Sequence, residues 1–321
     1  MKDSVSVVVP NWNGRAWLPA LLESIAAQQL APAEVIVVDN GSEDGSLAYL
    51  QGEHPGVRVV ALARNTGFAH AANRGLREAC GSLVALLNTD IVLAPDWLAR
   101  TASALAADAG AAAVACKMLS LSDPGRVYDA GDVLRRDGVC EQRGRFMRDD
   151  GRWDTSGEVF GACAGAALYR RSAVLSAGGF DERYFAYLED VDLSLRLRLA
   201  GWRCLYEPAV ALHAGESSAG RLPNGHLFLV ERNTLLLVAK AFPPRWLPFV
   251  AYRQAAWAYH ALLERRLRNQ LSAAAAVLPM LPAALRGRRT LRAAATVSIE
   301  EAVPRRPFRG PRAGGHRSQI V

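Results

Sequence analysis

The sequence contains little cysteine, and the cysteines that it has are scattered. Five cysteines stand far apart in 321 residues, and none of them belongs to a CxxC pair. Disulfide frameworks and structural zinc sites normally show paired, closely spaced cysteines, so neither is expected here. A reducing compartment fits this pattern best, and we expect a cytoplasmic location.

The sequence also lacks signals for export and for membrane crossing. Its first residues lead directly into a β-branched run without a cleavage site of small residues, so no secretory signal peptide is expected. The longest uncharged stretch, residues 269–285, begins with Asn269 and is interrupted by Pro279 and Pro282. A membrane-spanning helix needs about 20 predominantly apolar residues. This stretch is therefore better suited to lying on a membrane than to crossing one.

Acidic residues are scarce near the C-terminus. Residues 240–321 carry 15 Lys and Arg against three acids, whereas residues 1–239 carry 23 against 28. The basic residues stand among Trp, Leu and Ala stretches rather than in aromatic RNA-binding motifs, so nucleic acid is not an expected partner. An anionic membrane surface and a plain solvated face both remain open as explanations of the basic segment.

Short β-branched or apolar runs that alternate with helical patterns are abundant in the first third of the chain. The runs cover residues 5–9, 35–38, 57–62 and 83–87. This alternation is typical of an α/β fold with a parallel sheet, in which ligands bind at the carboxyl ends of the strands. Residues 143–157, rich in glycine and charge, are predicted to form an exposed, mobile loop. Trp153 in this loop is a candidate for stacking on a sugar.

Polar residues stand at the ends of these runs and in one glycine turn. Those that follow the predicted strands are Pro10, Asn11, Asn13, Asp39, Asn88 and Asp90, and the turn that opens the third helix contains Asn65, Gly67 and Asn73. A carboxylate at a strand end can accept from a base or ribose, or bind a hard divalent cation. The amides of a helix N-terminus favour an anionic ligand. Asp39 taken alone is also explained as an N-cap.

Residues 190–200 carry two conflicting signals. Apolar residues alternate with polar ones from Val191 onward, as in a half-buried strand. Acids stand at the front, however, Arg196 and Arg198 stand near the end, and Gly201 follows, which is the charge order and stop signal of a helix. We predict a helix. Its acids, Glu189, Asp190 and Asp192, have an alternative explanation as an ordinary acidic first turn.

Taken in order, these segments resemble the motifs of glycosyltransferase family 2. The matching segments are 5–14, 35–46, 65–75, 88–90 and 178–193, and the resemblance extends from residue 4 to about residue 218. It implies a GT-A fold, which is an α/β, Rossmann-like doubly wound mixed sheet, here with a C-terminal helical extension. It implies a catalytic domain at 1–222, divided into a nucleotide-sugar-binding half at 1–113 and an acceptor half at 114–222. A basic helical extension at 223–303 and a disordered tail at 304–321 would follow.

The resemblance also implies the chemistry of an inverting transferase. Asp190 matches the general base, with Glu189 orienting it and Asp192 capping or pairing. Asp90 matches the carboxylate that binds Mn²⁺ or Mg²⁺, and His213 matches a late histidine that completes the metal site, with an ordinary surface histidine as the alternative. Asn88 occupies the first position of the family's Asp-x-Asp motif, so only Asp90 inherits the metal role. The remaining polar positions, Asn88 included, are assigned to the nucleotide sugar.

The overall layout, including residues 231–235, is similar to rhamnosyltransferase-like members of the family. This similarity implies dTDP-L-rhamnose as the donor and a polysaccharide or lipid-linked glycan as the acceptor. The basic C-terminal helices predict peripheral docking on the inner face of the cytoplasmic membrane. UDP-hexoses remain alternative donors. A sugar nucleotidyltransferase would begin with a glycine-rich loop carrying Arg and Lys, which is absent. A non-catalytic scaffold would be favoured only if Asp39, Asp90 and Asp190 had been lost.

Overall fold

The structure is a computed structural model, and it describes residues 4–215 and 225–305. The expected tail at 304–321 lies outside the described residues except for its first two, and so does the expected boundary between residues 222 and 223. The strands are β1 Val5–Asn11, β2 Glu34–Asp39, β3 Arg58–Ala61, β4 Leu83–Leu87, β5 Ile91–Leu93, β6 Ala111–Ser120, β7 Val127–Asp129, β8 Asp132–Leu134, β9 Cys140–Gln142, β10 Gly157–Val159, β11 Ala166–Arg170 and β12 Arg203–His213. The helices are α1 Leu18–Ala26, α2 Ser46–Glu53, α3 Phe68–Glu78, α4 Trp97–Ala107, α5 Arg171–Ser176, α6 Glu189–Leu199, α7 Gly225–Ala241, α8 Leu247–Leu263, α9 Leu267–Val277, α10 Leu281–Ala294 and α11 Ile299–Ala302, with 3-10 turns at Glu182–Tyr184, Pro244–Trp246 and Leu278–Met280.

One large sheet organises the first two thirds of the chain. Its strand order is β10-β12-β6-β11-β4-β1-β2-β3, with β5 paired to β12 and β7 paired to β6. Strands β4, β1, β2 and β3 run parallel, β11 is antiparallel to both β4 and β6, and β12 is parallel to β6. The α/β doubly wound mixed sheet expected from the sequence is therefore present.

Both faces of this sheet are buried, which explains the nearly uninterrupted apolar runs. Along β1, Val8 joins the core on one face, where α3 packs with Leu76, while Val7 and Val9 join the core on the other face, where α1 packs with Leu21. Alternate residues of a strand point to opposite faces, so a strand with a helix on each side must be apolar throughout. Because β1, β2 and β4 run parallel, their carboxyl ends lie along one rim of the sheet.

The segment 189–199 forms helix α6, as its charge order predicted. Its leucines alternate with polar residues, although the segment is a helix, because two different sides of the helix are buried. Leu193 and Leu197 pack into the core of the sheet, whereas Leu195 and Leu199 pack against the C-terminal helices. The two-residue periodicity therefore reflects burial around the helix.

Helices α7, α8, α10 and α11 share a core with the sheet-bearing part of the chain. Leu236, Phe242 and Trp246 pack in one cluster with Tyr184 and Val191, the latter from α6. Lys240 of α7 also forms ion pairs with buried carboxylates that precede and belong to α6. Among the described residues, no helix is both long enough and apolar enough to cross a membrane.

Candidate active site

A cavity of about 340 Å³ opens at the rim where β1, β2 and β4 end. Eight residues singled out in the sequence line it: Pro10, Asn11, Asn65, Asn88, Asp90, Glu189, Asp190 and His213. They come from the ends of β1, β4 and β12, from the turn before α3 and from the start of α6. The fold thus brings residues from distant parts of the sequence to one cavity, with α7 and α8 adding apolar lining through Val230 and Trp257.

Asn11 lines one end of the cavity, and Asp39 supports it from behind. They are in-register partners at the ends of β1 and β2, and the Asn11 Nδ2 group donates to Asp39 Oδ1 at 2.7 Å and to Ser42 Oγ at 3.1 Å. Asn11 Oδ1 is buried and has no hydrogen-bond partner within the described ranges. A buried acceptor without a partner costs free energy, so a ligand that donates here would be bound favourably.

Five of the predicted nucleotide-sugar or supporting residues do not line the cavity, among them Asp39, which bonds the lining residue Asn11. Asn13 accepts from the Glu43 N–H and donates its own N–H to Ser42, which shapes the turn after β1. Asp192 is 2% exposed and is ion-paired with Arg196 and Lys240, as the pairing alternative predicted.

Asn73 and Gly67 also have contacts that differ from those expected. The Asn73 Nδ2 group donates to the Phe180 carbonyl and Asn73 Oδ1 accepts from the Phe180 N–H, at 2.8 Å each, so the side chain ties α3 to the loop before α6. At Gly67 (φ +91°), an added Cβ would lie 2.6 Å from Phe185. The glycine is needed for this close approach, which the sequence alone did not reveal.

Asp90 and His213 lie together at a second corner of the cavity. In the pairing of β12 with β5, His213 stands opposite Ile91, and this register places its ring beside Asp90. His213 Nε2 is 3.6 Å from Asp90 Oδ1. The histidine is 7% exposed, so the alternative of a surface histidine is wrong. Burial lowers the pKa of His213, although Asp90 opposes this shift, and a lowered pKa favours the neutral ring, which is the form that binds a metal.

Asp190 lies at the start of α6 with both carboxylate oxygens engaged. Oδ2 accepts from the Ala164 N–H at 3.0 Å, and Oδ1 accepts from the Val191 N–H at 2.8 Å. Burial raises the pKa of Asp190 despite the lowering effect of these two bonds. A carboxylate with a raised pKa, fixed in orientation at a cavity wall, has the properties of a general base.

The turn that presents Glu189 and Asp190 is strained. Phe185, Tyr187 and Leu188 all have positive φ values, of 66°, 68° and 65°, which is uncommon for residues other than glycine. Asn233 of α7, which is fully buried, holds this turn: its Nδ2 group donates to the carbonyls of Tyr184, Ala186 and Tyr187 at 3.0, 2.8 and 2.6 Å. The C-terminal helices therefore hold the backbone that positions the candidate base.

Two further carboxylates near Asp190 were not identified from the sequence. Asp132 lines the cavity and Asp129 lies behind it, and they are 3% and 1% exposed. Burial, together with neighbouring carboxylates that include Asp190, raises the pKa of Asp129 to about 7 and that of Asp132 well above its usual range. Their short strands, β7 and β8, carry no motif, and only their convergence on α6 reveals them.

The sequence analysis also did not identify Arg145 and Tyr128, and its prediction that Trp153 stacks on a sugar was wrong. Arg145, in the segment 143–157, lines the cavity beside Tyr128. Trp153 does not line the cavity but packs on the core of the sheet, where its carbonyl accepts from the Tyr206 hydroxyl at 2.7 Å. Lys117 also pairs with Asp149 and Asp154, so bonds to the sheet hold a segment that its composition predicted to be a mobile loop.

Comparisons with known proteins agree with this geometry. A family model described as Glycosyl transferase family 2 matches residues 6–176. The N-acetylglucosaminyl-diphospho-decaprenol L-rhamnosyltransferase of Mycobacterium tuberculosis is 33% identical over 272 residues, which cover 77% of this chain and 87% of that protein. The O-antigen biosynthesis protein RfbC of Myxococcus xanthus is 29% identical over 262 residues, covering 78% of this chain and 19% of that protein.

Solved structures share the fold at lower identity. A mannosyltransferase from Pyrobaculum calidifontis, solved with GDP-Man and Mn²⁺, has a TM-score of 0.52 and 22% identity, covering 94% of this chain and 86% of its own. GalNAc-T7, solved with UDP, GalNAc and Mn²⁺, has a TM-score of 0.59 and 15% identity, covering 75% of this chain and 48% of its own. The expected GT-A fold is thereby confirmed. Because the family model spans more than half of the chain and the mycobacterial relative matches most of it, this protein belongs to glycosyltransferase family 2.

Proposed function

We propose that this enzyme transfers a sugar, with inversion, from a nucleotide sugar to a hydroxyl group of a polysaccharide or lipid-linked glycan. The observation that carries the proposal is that Asp190, a fixed carboxylate of raised pKa, lines the same cavity as the Asp90–His213 pair. A single displacement needs a group that removes the acceptor proton and positive charge near the departing diphosphate. The two corners of the cavity would supply these two functions.

In the proposed step, the acceptor oxygen attacks the anomeric carbon from the face opposite the nucleoside diphosphate. The new C–O bond forms while the bond from that carbon to the phosphate oxygen breaks, and the electron pair leaves with the diphosphate. The acceptor proton passes to a carboxylate oxygen of Asp190. One displacement inverts the anomeric centre and requires no nucleophilic side chain.

The corner formed by Asp90 and His213 would hold Mn²⁺ or Mg²⁺. Two ligand atoms that are each about 2.1 Å from one ion can be up to about 4.2 Å apart, so the separation of 3.6 Å between Nε2 and Oδ1 fits a shared ion. When bound, the ion would supply positive charge to the phosphate oxygens. Within residues 4–215 and 225–305, no three His, Cys, Asp or Glu side chains form a metal cluster. Donor phosphates and water would complete the coordination.

For the donor we propose dTDP-L-rhamnose. Its support is the mycobacterial relative, whose name describes an L-rhamnosyltransferase. A UDP-hexose is the second candidate, because GalNAc-T7 was solved with UDP and GalNAc. In either case the nucleotide would bind where Asn11 has its unpartnered acceptor, with Asn65 nearby and with Asp39 holding Asn11 in place.

For the acceptor we propose a lipid-linked glycan reached at the inner face of the cytoplasmic membrane. The relative's name describes a decaprenol-linked acceptor. Of the large apolar side chains that are exposed in the described residues, most lie in the C-terminal helices: Leu247, Phe249, Tyr252, Tyr259, Leu262, Leu263, Leu271, Leu278 and Leu285. In the sequence, Arg265, Arg266 and Arg268 closely follow the exposed residues of α8. Exposed apolar side chains next to basic residues in the chain fit docking on anionic lipid.

The first test is protection against thermal unfolding by a panel of nucleotide sugars, with and without Mn²⁺. A ligand that binds only the native state raises the unfolding temperature. We expect a metal-dependent rise with dTDP-L-rhamnose, followed by transfer to a lipid-linked acceptor in a radiolabel assay. A rise with UDP-sugars alone would replace the donor. No rise with any member of the panel would refute a transferase of nucleotide sugars.

A further inference from the structure

The cavity has a one-sided distribution of charge. Its lining contains the carboxylates of Asp90, Asp132, Glu189 and Asp190, and the only Lys or Arg among the described lining residues is Arg145. The diphosphate of a nucleotide sugar is itself an anion. Like charges in a cavity of low dielectric repel strongly. A divalent ion at Asp90 and His213 would offset part of this repulsion, which makes the single guanidinium in the lining significant.

Arg145 stands close to the proposed metal corner. Its guanidinium carbon lies 4.4 Å from the centre of the Tyr128 ring, and this ring lies 4.2 Å from that of His213. Arg145, Tyr128 and His213 thus form a continuous column of contacts that ends at the Asp90 carboxylate. The positive charge of Arg145 is therefore on the same side of the cavity as the residues that would hold the metal.

A relay of polar groups fixes the position of this guanidinium. One terminal N–H donates to Gln142 Oε1, and Gln142 Nε2 donates to Asp129 Oδ2 at 3.1 Å. The Nε–H of Arg145 is buried and has no hydrogen-bond partner within the described parts of the chain. A buried N–H group without a partner carries a desolvation cost that a phosphate oxygen would remove. The planar fork of arginine also matches phosphate geometry better than a lysine would.

We infer that Arg145 is a binding residue for the diphosphate of the donor. It acts beside the Asp90–His213 corner and stabilises the charge that gathers on the departing nucleoside diphosphate. The inference rests on the proposed function and adds a side chain that no motif predicted. Arg145 donates hydrogen bonds and transfers no proton, because the acceptor proton goes to Asp190 and the electron pair of the broken bond stays on the diphosphate.

The experiment compares nucleoside diphosphate with nucleoside monophosphate binding by calorimetry in the presence of Mn²⁺, using dTDP, UDP and the matching monophosphates. Arg145→Met keeps the length and the apolar contact with Tyr128 but removes the charge. A charge-assisted hydrogen bond contributes enough that we expect diphosphate affinity to fall about 10-fold to 100-fold. Monophosphate affinity should fall far less, because the terminal phosphate is missing.

Two further variants distinguish phosphate binding by Arg145 from a general effect of positive charge and from a loss of folding. Arg152→Ala removes a positive charge from the same segment. Among the residues that the structure describes, Arg152 pairs only with neighbouring Asp150, outside the cavity lining, so diphosphate affinity should not change. Arg145→Lys keeps the charge without the fork, and we expect a loss of about threefold to tenfold. This variant preserves the test if the methionine variant does not fold.

The outcomes distinguish the inference from the function on which it rests. Wild-type protein that binds diphosphate while both Arg145 variants bind it equally well would overturn the role of Arg145 and leave the proposed function standing. Equal losses for diphosphate and monophosphate would also overturn it, since they would indicate a structural role. If the wild-type protein binds no nucleoside diphosphate with Mn²⁺, this result would refute both the proposed function and this inference.

Discussion

The cavity and the C-terminal helices each contain side chains in an unfavourable environment: the cavity buries polar groups, and the helices expose apolar ones. The cavity wall buries carboxylates beside one another, with Asp132 Oδ2 and Glu189 Oε2 lacking hydrogen-bond partners within the described residues. Helix α8 instead leaves large apolar side chains in water, among them Tyr259, Leu262 and Leu263, each close to 60% exposed. Each arrangement costs stability in the isolated chain. The two regions therefore differ in what would offset this cost under the proposed function: a polar, charged ligand in the cavity and an apolar lipid phase at the helices.

The one charged residue of α8 supports this comparison. Arg253 is buried, and its guanidinium bonds Asp137 Oδ2 at 2.9 and 3.1 Å. The exposed face of α8, over residues 247–263, therefore carries no Lys, Arg, Asp or Glu. A helix facing water normally presents charged residues on its outer side. This helix keeps its charge inside and its apolar residues outside.

The largest expected effect lies on the cavity side of the comparison. Asp190→Asn removes the base and keeps the shape of the side chain, but its single amide oxygen can accept from only one of the two backbone N–H groups that Asp190 bonds. General base catalysis contributes about 10²–10⁴-fold, so the transfer rate should fall by this factor. Affinity for nucleoside diphosphate with Mn²⁺ should stay near the wild-type value, which shows that the cavity is intact. Transfer at more than half the wild-type rate would contradict the assignment of Asp190.

On the helix side, replacing Leu262 and Leu263 by serine should weaken binding to vesicles that contain an anionic lipid. Burying a leucine side chain contributes about 1.5–3 kcal/mol, so partial insertion of two gives an expected loss of about 10-fold to 100-fold. Stability should change little because both side chains are exposed. Co-sedimentation measures the effect. Leu30→Ser, at an exposed leucine in the catalytic part, is the matched control, and equal binding by all three proteins would refute docking through α8.

Asn233→Ala tests the contact that joins the two regions. Without its amide, the strained turn at 185–188 loses three hydrogen bonds, and Asp190 should lose its fixed position. We expect kcat to fall about 10-fold, since small misplacements of a catalytic group are costly, while nucleotide affinity stays unchanged. Gln270→Ala, a buried amide in α9 away from the cavity, controls for general destabilisation. If kcat falls equally in both variants, Asn233 has only a structural role.

The smallest expected effect concerns stability and its pH dependence. The folded-state pKa of Asp132 lies above its unfolded value of about 3.9, because burial and neighbouring carboxylates disfavour the charged form. The folded protein then binds more protons than the unfolded chain, so this residue lowers stability progressively as pH rises from about 4 to the folded pKa. Asp132→Asn should stabilise the protein by about 1 kcal/mol at neutral pH.

The sign of this effect can be checked by denaturant unfolding at two pH values. The stability advantage of Asp132→Asn over wild type should be larger at pH 7 than at pH 5, while transfer activity decreases. An advantage that grows toward lower pH would contradict the pKa direction. A gain in stability together with a loss of activity would mark Asp132 as part of the functional site.

The sequence predicted most of the fold because the fold rests on local patterns. The runs at 5–9, 35–38 and 83–87 are apolar because both faces of their strands are buried, and the acids at the front and arginines near the end of 189–199 correctly indicated a helix. Trp153 failed as a prediction because composition identifies a loop but not the direction of its side chains. Asn73 and Gly67 lie outside the cavity lining for a related reason: the turn that resembles a ligand-binding turn packs against the chain that precedes α6.

By itself, the sequence determined the α/β sheet, the order of the polar strand ends and the presence of carboxylates at Asp90 and Asp190. These are properties of short segments, set by side-chain periodicity and by charge near helix ends. Three features come from the tertiary structure alone: His213 lies beside Asp90, Arg145 and Asp132 line the same cavity, and Asn233 holds the turn before Asp190. Such contacts depend on strand register and helix packing between segments far apart in the chain, which no local pattern encodes.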